Sequence, residues 1–179
     1  MCEDNDIKIA GEKIKTYNSK CSETPEIMPN ANSIRRGTEL GTRIAKEYLL
    51  ALGDQGLGAN DMSDEEDMLP QRKVLLSFAA LSGFERFCDN NDYSSAAKSQ
   101  FLAYIKNESR EVWSTATDNG ALSFYYLSFR RGGEVERRVG QTFAMLCSHD
   151  GDPVYQELGE ALYCWFTSVV KRKIEELEN

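Results

Sequence analysis

Ten apolar residues crowd the stretch Val74 to Cys88: Val74, Leu75, Leu76, Phe78, Ala79, Ala80, Leu81, Phe84, Phe87 and Cys88. On a helix they leave almost no polar stripe, and a helix that is hydrophobic nearly all round must be covered by neighbours on several sides. A helix over 71–88 is therefore the expected centre of the fold, and the rest of the chain must supply the elements that cover it.

Those elements are legible as amphipathic periods. Leu40, Ile44, Tyr48 and Leu52 stand four apart on a first helix that Ser33 caps and Gly53 ends. Gly37 and Gly41 share one face of it. Glycine inside a helix costs about 1 kcal/mol relative to Ala, so the pair predicts a close approach by a second helix. Residues 53–70 read as a linker, with Ser63 and Glu66 at capping-box spacing and Pro70 limiting the turn they start. After Asn90-Asn91-Asp92, Ser94 or Ser95 caps a helix carrying Ala97, Phe101, Tyr104 and Ile105, which Val112 and Trp113 extend. Asp118-Asn119-Gly120 then allows two outcomes. Asn-Gly is a strong hairpin signal for strands over 112–117 and 121–129, whereas Leu122, Tyr126 and Phe129 keep helical spacing. Two helices broken near Gly120 are the preferred outcome. Val135, Val139, Phe143 and Leu146 mark the next helix. Asp152 and Pro153 open the last, with Leu158, Leu162, Trp165 and Val169 as its stripe. The expectation is a mainly all-α, single-domain irregular bundle of about six helices over 34–179, with a short polar N-terminal arm over 1–33. Within the arm, Ile7–Ile9 and Ile14–Tyr17 could pair as a small hairpin.

At 179 residues the chain can bury roughly 70% of its unfolded surface without staples. Its formal net charge of −8 disfavours phosphate backbones and anionic membrane surfaces, so neither nucleic acid nor membrane is expected as a partner. The five cysteines (Cys2, Cys21, Cys88, Cys147, Cys164) include no CxxC pair, and three sit in apolar helical patterns. The segment Met1 to Asp6 is acidic where a signal peptide would be basic. Ala161–Val170, the most apolar run, is half the length of a membrane span. A soluble cytoplasmic protein is the expectation.

Chemistry-bearing clusters are sparse. Cys147-Ser148-His149-Asp150-Gly151-Asp152 holds the only histidine and could offer zinc a thiolate, an imidazole and a carboxylate. It spans a helix junction, however, and no second cluster completes four ligands, so it is read as a turn. No metal and no cofactor are expected. Gly53-Asp54-Gln55-Gly56-Leu57-Gly58 lacks the preceding strand, following helix start and Lys-Ser/Thr of a phosphate loop. As a calcium loop it puts glycines at the third and fifth positions, where oxygen ligands belong. Glu85 is the one acid in the central apolar helix; it is either a carboxylate with a raised pKa or a residue on the helix's polar edge. Arg130, Arg131, Arg137 and Arg138 surround a helix start with Glu134 and Glu136 between them, either as an anion or acidic-partner site or as a solvated turn.

Three functions follow from these features. A protein-interaction or regulatory module fits an apolar scaffold with no catalytic constellation. A small-ligand domain would use an aromatic-lined pocket of Trp113, Tyr125, Tyr126 and Trp165 with Glu85, Arg130 or Arg131 converging on it. An enzyme would use buried carboxylates, Glu85 first. The first is preferred, and no catalytic residue can be named.

Overall fold

A computed structural model describes residues 30–53 and 65–178, with the side chains of 65–67 excepted. The described residues form seven helices and no strand: α1 (Ala31–Gly53), α2 (Glu65–Phe87), α3 (Asn91–Glu108), α4 (Arg110–Ala116), α5 (Asn119–Arg130), α6 (Val135–Leu146) and α7 (Pro153–Glu178). The arm before Asn30, its hairpin with Cys2 and Cys21, and the Ser63 capping box lie outside the described residues.

The bundle is organised as its most apolar segment requires. From Val74 to Phe84 every residue of α2 is buried, and the helix packs against all the others. Phe78 is the aromatic centre: Tyr125 and Tyr163 stack on it at 5.3 and 5.9 Å, and Tyr126 and Phe129 meet it edge-on at 5.2 and 6.2 Å. The predicted close approach on α1 is present. A Cβ on Gly37 would lie 2.5 Å from the Tyr93 carbonyl oxygen, and one on Gly41 would overlap the Ala97 carbonyl, so α1 and α3 touch backbone to backbone. Gly140 does the same for α6 and α7 against the Gln156 backbone, while Gly159 makes room for the Phe143 side chain.

Helix ends differ from expectation where another polar side chain reaches the free backbone N–H groups first. Asn30 opens α1 instead of Ser33: its Oδ1 accepts from the amides of Asn32 and Ser33 at 3.1 and 3.4 Å. Asn90, not Ser94 or Ser95, caps α3 through the Tyr93 amide at 3.0 Å. Ser109 accepts from the Val112 amide at 3.2 Å and starts α4, so the predicted single helix through Trp113 is two. Asp118 accepts from the Ala121 amide at 3.0 Å, which turns Asn119-Gly120 into the first turn of α5 rather than a hairpin. Asp152 caps α7 as expected, through the Val154 amide at 2.8 Å. Pro70 does not stop α2. It falls in the second turn, where the loss is one backbone bond near the helix start.

Polar ties fix α1 on the core. Tyr48 donates to the Lys73 carbonyl at 3.0 Å, and buried Arg72 donates to the Ala51 carbonyl at 2.8 Å. A cation at a helix C-terminus satisfies open carbonyls and opposes the negative end of the dipole.

Candidate functional site

The last turn of α5 and the first of α6 are joined by Arg131-Gly132-Gly133-Glu134. Gly132 and Gly133 both take positive φ, 65° and 71°, a pair of left-handed residues that L side chains rarely adopt. The tight reversal makes α5 and α6 a helical hairpin. Ser128 and Thr142 lock it with a 2.8 Å hydroxyl contact. Their Oγ atoms also lie 3.1 Å from the Phe124 carbonyl and 2.9 Å from the Arg138 carbonyl. Two hydroxyl protons therefore serve three contacts.

The outward side of this hairpin is unusually apolar. Phe124 is 47% exposed, Leu127 55% and Met145 39%. Phe124 stands one turn before Ser128, and Met145 stands three residues after Thr142. The hydroxyl contact therefore places the two on the same rim of an antiparallel pair.

Three shallow clefts surround the hairpin, and the first and third take in the rim residues Leu127 and Met145. Ser123, Tyr126, Leu127 and Arg130 line the first, of about 380 Å³. Glu85, Arg86, Phe129, Gly133, Val135 and Glu136 line the second, of about 570 Å³, between α2 and the hairpin turn. The third, about 270 Å³, lies between Ser128 and Arg131 on one side and Arg138, Gln141, Thr142 and Met145 on the other, with Asp150 beyond. Arg138 is held across the turn by its Nη1 hydrogen bond to the Gly132 carbonyl.

The residues singled out in the sequence are only partly gathered here. Tyr126 and Arg130 share the first cleft, Glu85 lines the second and Arg131 the third. Tyr125 is wholly buried against Phe78, and its hydroxyl has no hydrogen-bond partner. Burial, reinforced by Cys147, holds that hydroxyl well above the ordinary tyrosine value. Tyr126 is also raised, by burial first and then by Glu85, with Arg130 opposing. Trp113 lies elsewhere, with Lys106 Nζ 4.6 Å over its ring. Trp165 is 38% exposed on α7, tilted against Phe166 at 5.5 Å, because the buried face of α7 runs through Leu162 and Phe166 and leaves it at the edge. The four aromatics therefore do not line a common cleft. Of the three clefts around the hairpin, Tyr126 alone of the four borders one, and Phe78 takes up Tyr125.

Glu85 is exposed and paired with Lys98 at 2.6 Å, on the polar edge of α2. Among the described residues no Asp or Glu is buried, so none of them has the environment that the acid–base reading required. The thiols point the same way. Cys88 is pushed up to about 12 by burial and then by Asp89 and Glu178, which keeps it a thiol rather than a nucleophilic thiolate. His149 stacks flat on Tyr155 at 3.8 Å, Cys147 is buried, and among the described residues no three ligands gather around a metal position. No described helix is long and apolar enough to cross a membrane.

Leu127, Met145 and Gln141 were not among the site residues the sequence suggested. The signal for the first two is an apolar residue off the buried stripe of an amphipathic helix, which becomes visible once the stripe is fixed. Comparison with protein-family models, with curated proteins and with solved structures gave no match, so function must be read from this geometry.

Proposed function

We propose that this chain is a cytoplasmic protein-interaction module and that the outer face of the α5–α6 hairpin is its docking surface. The observation that carries the reading is the joint exposure of Phe124, Leu127 and Met145 on two helices locked together by Ser128 and Thr142. Grouped exposed apolar side chains mark interaction surfaces, and Phe, Met and Arg are among the residues enriched there. The two clefts that take in Leu127 and Met145 are shallow, as a surface for a macromolecular partner would be.

The test is quantitative affinity capture from the source cells with three baits: the wild-type chain, a Phe124→Gln/Leu127→Gln variant, and Leu50→Gln. Leu50 is 69% exposed on α1, away from the hairpin, and serves as the control. Proteins retained by wild type and Leu50→Gln but lost by the double variant support the reading. Identical capture by all three folded baits overturns it.

A further inference from the structure

We infer that the segment this face receives is acidic: an amphipathic stretch of a partner protein whose apolar residues cover Phe124, Leu127 and Met145 while a carboxylate enters the cleft between Arg131 and Arg138. The inference rests on the docking surface proposed above and adds the chemistry of what binds there.

Charge distribution carries it. The chain as a whole is −8, yet residues 119–146 hold four arginines against two glutamates, a local excess of positive charge. Both glutamates are in or beside the turn and already engaged: Glu134 pairs with Arg137 at 3.3 Å, and Glu136 faces Arg86 at 4.0 Å. No acid occurs from Asn119 to Gly133 or from Arg137 to Ser148. Among the described residues no carboxylate lies within ion-pairing distance of Arg131, which is exposed beside the apolar rim. Arg138 is half-buried, and its bond to the Gly132 carbonyl sets one edge of the guanidinium before any ligand arrives. A planar fork fixed in this way is suited to two-point recognition of a carboxylate. The Gln141 amide and the hydroxyls of Ser128 and Thr142 line the same cleft. Asp150 sits beyond them in the turn after α6, and its charge directs an incoming carboxylate to the Arg131 end.

A phage-displayed library of random dodecapeptides tests this on the intact chain. Selection on wild-type protein should enrich Asp or Glu beside apolar residues. Selected peptides should weaken with added salt and bind Arg131→Glu at least about tenfold more weakly. Selection on Arg131→Glu should lose the acidic bias. Arg131 is exposed and its backbone is ordinary right-handed helix, so this variant leaves the fold intact. No acidic bias on wild type, or the same bias on Arg131→Glu, overturns the inference. Unbiased peptides that still require Phe124 and Leu127 overturn it while leaving the docking face standing. Peptides indifferent to both sets of substitutions overturn the docking face as well.

Discussion

Gly41→Ala isolates the claim that α1 and α3 touch backbone to backbone. In an exposed helix interior this substitution stabilises by about 1 kcal/mol, because glycine loses more conformational freedom on folding. At position 41 the added methyl would overlap the Ala97 carbonyl oxygen and stand 2.9 Å from Gln100 Cβ and 3.0 Å from Phe101 N. Two of these three atoms are backbone and cannot rotate away, so the helices must separate across an interface that includes Leu40, Ile44, Ala97 and Phe101. Overpacking a core costs about 1–3 kcal/mol. With the propensity gain of about 1 kcal/mol subtracted, the net loss should reach up to about 2 kcal/mol, or a Tm lowered by up to about 4–8 °C in a chain of this size. Gly53→Ala is the internal control. Nothing lies within 4 Å of a Cβ there, so the same chemical change should leave Tm unchanged or raise it slightly. Gly140→Ala should resemble Gly41→Ala, because the methyl meets the Gln156 carbonyl of α7. Urea unfolding with a constant m-value and scanning calorimetry measure all three. A Gly41→Ala protein more stable than wild type, as the substitution would be in an uncrowded helix interior, would refute the close-approach reasoning.

Tyr125→Phe should raise stability by about 1 kcal/mol at neutral pH, since a buried hydroxyl without a partner is removed and the stack on Phe78 is kept; urea unfolding that shows a loss would mean the hydroxyl has a partner. Stability should fall at alkaline pH. Cys88 and Tyr93 keep their protons to about 12 in the folded chain, whereas their ordinary values are 9.0 and 10.0. Below those ordinary values the contribution is fully present, and it is lost as pH rises toward 12 because the unfolded chain ionises first. For Tyr93 the slope is about 1.4 kcal/mol per pH unit, so Tyr93→Phe should flatten a plot of Tm against pH above 10, and an unchanged slope would count against it. Arg72→Met should cost about 1–3 kcal/mol and speed hydrogen exchange in the last turn of α1, where the Ala51 carbonyl loses its charged donor; unchanged exchange there would mean that the bond does not hold the helix end.

The helices and the central position of α2 were legible because they depend on periods, which a sequence displays directly. Gly37 and Gly41 were legible for a related reason: an intrahelical cost at helical spacing needs a compensating contact. The caps were less so. Asn30, Ser33, Asn90, Ser94 and Ser95 are all competent, and the choice among them depends on where α1 and α3 meet. Asn30 N donates to Asp92 Oδ2 at 3.0 Å and Asn90 Nδ2 to Ser33 Oγ at 3.3 Å, tertiary contacts that bind the two helix starts together. The candidate site was least legible. Aromatic residues advertise themselves in sequence, but Phe78 gathers Tyr125 into the core and α7 leaves Trp165 at an edge. Arg138 matters through its hold on a glycine carbonyl six residues earlier, a contact that exists only when two successive residues adopt positive φ.

Why the outer face of α5 should be a surface for a partner, rather than core left imperfectly covered, is a question about what its apolar residues contribute to folding. Of its twelve residues only Leu122 and Tyr125 are buried. Leu127 is more than half exposed and leaves most of its transfer free energy, about 25 cal/mol per Å², unrealised in the isolated chain. If it served folding, Leu127→Gln would be costly. On the structure it should change stability by no more than about 0.5 kcal/mol, and half-exposed Phe124→Gln by about 1 kcal/mol at most, because glutamine is as good a helix former as either. The double variant should therefore unfold close to wild type in urea while losing whatever the wild type captures. Stability and capture falling together would place both residues in the core and remove the surface on which the functional reading depends. Stability retained with capture lost has no explanation from core packing, since the two side chains would then have been kept apolar for a contact that the folded chain alone does not make.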